Sequence, residues 1–130
     1  MACQNRWSVA VALACAGCSG SSVGPTDTTV TSNSGTLHVE LNVLPQRGTN
    51  TAELTVTNVA DGMARDDLTV AVVPFMPSMN HGSSAPTVAP EGHGKYQITQ
   101  LYLYMAGYWE LRTSFSGPMN DHATLAVQIP

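Results

Sequence analysis

The sequence predicts an all-β fold, an antiparallel sandwich of about seven strands. Three observations predict it. Apolar residues recur at every second position in six stretches, the mark of strands with one buried face. The segments between them, "LPQRGTN", "DGMAR", "APEGHG", "MAG" and "SGPMND", carry turn chemistry. No stretch repeats apolar residues at the helical period.

The chain opens on a different pattern. Arg6 supplies a short positive region, and "WSVAVALACAG" follows as an apolar run. That run has the length of a signal-peptide core and falls short of the roughly 20 apolar residues of a membrane-spanning helix. It ends in small residues directly before Cys18. The expectation is a bacterial lipoprotein signal over residues 1–17, with lipid on Cys18. Cys15, preceded by "ALA", is the alternative lipidated residue, and cleavage nearby without lipidation is a second alternative. The three cysteines, Cys3, Cys15 and Cys18, all precede the candidate domain. "CAGC" has no second pair for a zinc ribbon and no βαβ pattern for a redox motif. Residues 18–35, "CSGSSVGPTDTTVTSNSG", are rich in Ser, Thr and Gly and predict a flexible tether. The expected location is the bacterial cell envelope, facing the periplasm or exterior, with the membrane touched through the anchor alone.

The domain is expected over residues 36–130. "TLHVELNV" puts Leu37, Val39, Leu41 and Val43 on one face. "TAELTVTNV" adds Leu54 and Val56. "DLTVAVVPF" brings Leu68, Val70 and Val72 into phase. A short strand is expected near Thr87–Ala89. "GKYQITQLYLYM" alternates through Tyr96 and Ile98, then shifts phase to Leu101, Leu103 and Met105, which predicts a β-bulge or a change of sheet. "YWELRTSF" gives Trp109, Leu111, Thr113 and Phe115, with Trp109 a core residue beneath the Ala106–Gly107 turn. "HATLAVQI" gives Ala123, Leu125, Val127 and Ile129. Seven such strands match an immunoglobulin-like sandwich; a small closed barrel is the alternative.

Composition narrows the function. Hydrophobic residues are 43% and charged residues 11%, which suits a folded domain and not a disordered one. The net charge is −4 with no basic cluster, so nucleic acid is not an expected partner. No enzyme is expected either. Ser114 and Ser116 lack a nucleophile-elbow context. Asp66 and Asp67 are adjacent, so on a strand they would face opposite ways, and they read as a solvated turn.

One segment stands apart. "FMPSMNHG" places Met76, Met79 and His81 within six positions. Thioether sulfur is a soft, neutral ligand that favours Cu(I) over harder ions and needs no deprotonation. Pro77 stiffens the segment so that two sulfurs and an imidazole can face one ion. Met105, ending a strand at a turn, is a fourth candidate. Methionine also fills core gaps and makes adaptable protein-binding surfaces, and both readings stay open for Met76 and Met79. Met63 and Met119 read as core or turn residues, and His38 as a surface residue of a strand. If successive strands alternate in direction, Met76, Met79, His81 and Met105 lie at one end of the sandwich, and His93 and His122 at the other.

"MPSMNHG", "EGHGKYQI" and "LYMAGYWELRTSF", in that order and spacing, resemble the YtkA-like family of small secreted or lipid-anchored bacterial proteins, related to FixH. The resemblance spans residues 36–130. It implies an immunoglobulin-like sandwich at the cell envelope and points to copper handling, since FixH is associated with copper supply to haem-copper oxidases. The expected function is therefore an envelope-anchored Cu(I) carrier or buffer. Its expected partner is a copper-requiring envelope protein or transporter. The alternative is a metal-free module that docks an envelope partner through the same apolar loop.

Overall fold

A computed structural model describes residues 26–130. They form nine strands: β1 (Thr26–Thr31), β2 (Leu37–Val43), β3 (Gly48–Asn58), β4 (Thr69–Met76), β5 (His81–Gly82), β6 (Thr87–Gly92), β7 (Lys95–Leu103), β8 (Gly107–Ser116) and β9 (Asp121–Ile129). One sheet runs β1-β2-β3-β7-β6 and the other β5-β4-β8-β9. All pairings are antiparallel. Set β1 aside and the two orders are those of an immunoglobulin sandwich, whose first, second, fifth and fourth strands make one sheet. The alternation drives this packing. Leu37, Val39, Leu41, Leu54, Val56, Ile98, Leu111 and Leu125 are wholly buried between the sheets.

Two strands exceed the expected seven. The expected tether does not extend to residue 35: Thr26–Thr31 pairs with β2 from Thr26↔Val43 to Thr31↔His38. Its β-branched residues suit an extended edge strand, although only Val30 packs against the core. The expected loop after Met76 is a hairpin, with Met76 paired to His81. Cys18, Cys15 and the signal over 1–17 lie outside the described residues.

The expected phase shift is a bulge. Ala52 faces Ile98 while Asn50 faces Leu101, so β7 carries one extra residue there. Gln100 absorbs it in the left-handed region, with φ 59°.

The registers set two ends. Gly48↔Leu103, Phe75↔Glu110 and Gly107↔Ile129 gather connections 44–47, 77–86 and 104–106 at one end, here called the mouth. Connections 32–36, 59–68, 93–94 and 117–120 form the opposite end. Thr26 is paired with Val43, so the described chain enters at the mouth.

The two long sides differ. On one, β1 reaches across to β9, and the Thr28 hydroxyl donates to the Ala126 carbonyl at 3.2 Å. On the other, β4 is bonded to β5 only at Phe75 and Met76, and the sole sheet partner of β6 is β7. Both of these edge strands contain proline, Pro74 and Pro90.

The opposite end is tied by polar contacts. Arg65 clamps Asp67 with Nε to Oδ1 at 2.9 Å and Nη2 to Oδ2 at 3.1 Å. The Tyr96 hydroxyl donates to the Arg65 carbonyl at 2.6 Å, and Asp66 accepts from the Gly94 amide. The Asp66–Asp67 turn is solvated, as expected, and these contacts also fasten it. Asp121 is buried and holds the β1–β2 turn, accepting from the Ser34 hydroxyl at 2.6 Å and the Ser34 amide at 3.2 Å. Burial pushes its carboxyl up, but hydrogen bonds from Ser32, Ser34 and the His122 amide outweigh this and bring it down to about 2. A carboxyl depressed in the folded state stabilises the fold above its unfolded value of 3.8, and that stabilisation is lost as pH falls through about 2. Asp121→Asn should therefore cost about 1–3 kcal/mol at pH 7. Urea midpoints at pH 7 and pH 2 check this; the gap between variant and parent should close at the lower pH.

Candidate metal site at the mouth

Met76 closes β4 in phase with Val70 and Val72, so its side chain points inward. It is 3% exposed and belongs to the core. Here the expectation of a loop residue is corrected: Met76 is strand, and it forms the floor of the mouth. Pro77 then opens a single 3-10 turn, Pro77–Met79, closed by Asn80 in the left-handed region with its amide on the Pro77 carbonyl. This turn reverses the chain. Met79 sits on it, half exposed, and His81 returns opposite Met76. Cross-strand partners share a face, so Met76 and His81 point the same way.

The β7–β8 connection meets this hairpin. The Tyr104 hydroxyl lies 2.7 Å from His81 Nδ1, and the two rings stack at 5.7 Å with planes 9° apart. Trp109 backs Tyr104 edge-on at 5.5 Å. The Trp109 indole, wholly buried as expected, donates from Nε1 to the Met105 carbonyl at 2.9 Å. Met105 is half buried against the core. Gly107 accommodates Met76: a Cβ there would lie 2.7 Å from Met76 Cε.

The structure therefore brings Met76, Met79, His81 and Met105 to one end, on the 76–82 hairpin and the 104–106 connection, which the Tyr104–His81 bond joins. His93 and His122 are at the other end, as strand parity predicts. His93 is an exposed turn residue with φ 56°, and His122 Nε2 lies 2.6 Å from Asn33 Nδ2. The short fourth strand on which that parity depends is β6.

Tyr104 is the residue that sequence reasoning missed. Its hydroxyl, 2.7 Å from His81 Nδ1 and 3.5 Å from Nε2, fixes where the imidazole sits, as an outer partner does for a ligating histidine. Its sequence signal was slight: a tyrosine between the last strand residue and Met105.

Among the described residues, no group of three or more His, Cys, Asp or Glu side chains is placed to hold a metal ion. The mouth offers candidates of another kind, methionine thioethers, which are soft and uncharged. An open depression of about 280 Å³ on the outer face of the first sheet, bordered by Asn42, Leu44, Glu53 and Gln97, has its polar groups at the surface.

No curated protein and no solved structure matches the chain. A family model does, the one described as YtkA-like, over residues 31–114. The match runs from the end of β1 into β8 and includes all four candidate donors. With that extent of agreement on a two-sheet sandwich, the chain belongs to the YtkA-like family.

Proposed function

We propose that this protein binds copper at the mouth, as a Cu(I) carrier or buffer anchored in the cell envelope through lipid on Cys18. Met76, Met79, His81 and Met105 are the proposed donors. The observation that carries the reading is the convergence of the 76–82 hairpin and the 104–106 connection on one spot. The donor set fits the ion. Three thioethers and a neutral imidazole suit a soft monovalent metal and resist the oxidation that would pair thiols in an oxidising compartment. Copper is here a cargo, and its destination is a copper-requiring envelope protein or transporter.

A second reading keeps the mouth metal-free, as a surface that docks an envelope partner. The burial of Met76 and the exposure of Met79 favour it, since a buried thioether is often simply packed.

Titrating Cu(I) into the purified protein against a competing chelator separates the two. The parent should bind one ion tightly. Met76→Leu/Met79→Leu should abolish that binding, and His93→Ala/His122→Ala should leave it intact. Tyr104→Phe should weaken it by roughly 10-fold or more, through loss of the His81 partner. No tight binding by the parent would favour the docking module; loss in the His93/His122 variant alone would put the site at the wrong end.

A further inference from the structure

The mouth carries a second pattern, independent of its sulfur atoms. Seven large apolar side chains are exposed among the described residues, and four of them ring this end: Leu44 (55% exposed), Met79, Tyr102 and Tyr108. Val59 and Met63 are at the opposite end. Charge divides the same way. The mouth connections 44–47, 77–86 and 104–106 contain no Asp or Glu and one cation, Arg47. The opposite end holds Asp61, Asp66 and Asp67 in a single connection, with Arg65 paired to Asp67.

Chain entry adds the third observation. β1 starts at the mouth, so only residues 19–25 separate Cys18 from the folded domain. Fully extended, that segment reaches under about 30 Å. β3 alone has 11 residues, about 35 Å of strand. The leash is thus shorter than the sandwich, and it leaves from the end whose connections are apolar and free of acids, with Asp27 and Glu110 on the strands beside them.

We propose that the mouth rests on the lipid bilayer surface, with Leu44, Met79, Tyr102 and Tyr108 in the headgroup region. This rests on the reading of Cys18 as the lipid anchor. Tyrosine suits the position, because its ring is apolar and its hydroxyl wet. The anchor holds the rim near the bilayer at high effective concentration, so a modest apolar contact is enough. An anionic membrane disfavours the end that carries Asp61 and Asp66 more than the mouth, where Arg112 pairs with Glu110 and Arg47 is the one charge of the connections. Any ion held by Met76, Met79, His81 and Met105 then faces the membrane, and exchange is directed to a membrane-embedded partner.

The test uses full-length protein purified from bacterial membranes, as Leu44→Cys and Asp61→Cys variants. Neither position belongs to the donor set. If Cys18 is acylated and the signal removed, the introduced cysteine is the one free thiol. Intact mass reports this separately. Each variant is labelled with an environment-sensitive fluorophore and reconstituted into phosphatidylethanolamine/phosphatidylglycerol vesicles containing a nitroxide-bearing lipid. The expected result is a blue-shifted label at position 44, quenched by the nitroxide lipid, and a water-like, unquenched label at position 61. Equal, water-like signals from the acylated protein would overturn the proposal. So would a shift at position 44 that appears in native membranes and not in pure lipid, since that identifies a protein partner. If the mass shows no lipid, the anchor reading fails. Residues 18–130 coupled through Cys18 to a maleimide lipid, with the fluorophore attached instead to an azide-bearing residue at position 44 or 61, then give the same two readouts, and equal, water-like signals there overturn the membrane-facing surface itself.

Discussion

Trp109→Ala should lower stability by about 3–5 kcal/mol, the cost of emptying a large buried site. The indole is wholly buried and lies at a junction. It packs edge-on against Tyr104, and its N–H satisfies the Met105 carbonyl. Truncation removes the packing and orphans that carbonyl. Trp109→Phe separates the two effects. It keeps most of the ring volume, and the lost hydrogen bond alone should cost about 1–3 kcal/mol. Chemical denaturation of both variants gives the numbers. A loss under about 1 kcal/mol for Trp109→Ala would contradict the burial of the indole. Because Tyr104 leans on Trp109 and His81 on Tyr104, the same variant should also loosen the candidate site. Cu(I) affinity should fall even under conditions where the domain stays folded.

Gly94→Ala should be damaging for another reason. Gly94 sits at φ 75°, where an L side chain is strained by roughly 1–2 kcal/mol. It also has no room: a Cβ would lie 2.5 Å from the Val56 carbonyl oxygen and 3.1 Å from Ala64 Cβ. The contact is with backbone, so no rotamer change relieves it. The glycine amide is meanwhile bonded to Asp66, and its carbonyl accepts from the Val56 amide at 2.8 Å. Gly92 supplies the control. It has φ 88° and nothing within 4 Å of an added Cβ. Gly92→Ala should therefore cost only the strain, and Gly94→Ala about 2–4 kcal/mol. Equal losses in the two variants would show that the space around Gly94 is not limiting.

These positions show what could be read in advance. The strand faces were legible because alternation is a local signal, and each buried residue repeats it. The bulge was legible as a break in that signal between Ile98 and Leu101. The placement of His93 and His122 away from the methionines followed from counting reversals. Other features required the fold. Thr26–Thr31 has one apolar residue and reads as a linker; it becomes a strand because β2 offers an edge. Met76 read as a loop residue because Pro77 drew attention to a turn, although the phase of Val70 and Val72 continues to it. The Tyr104–His81 bond joins residues 23 apart and leaves no mark on either segment. Glycine at 92 and 94 fits the turn expected of "APEGHG"; the closeness of Val56 to one of them is a tertiary fact.

The unsealed side of the sandwich has a consequence for self-association. An edge strand with free amides and carbonyls is a template for another chain. The Ser83 amide donates to the Pro74 carbonyl, so Pro74 turns its missing N–H toward the β5 side, at the point where that short cover ends. Pro90 interrupts the other edge strand. Copies held on a membrane by the proposed anchor would meet repeatedly in two dimensions, the setting in which sheet-to-sheet fibre growth is most easily seeded. Two ring nitrogens without hydrogen leave gaps in the ladder that such growth would need, so neighbours can collide without zipping together.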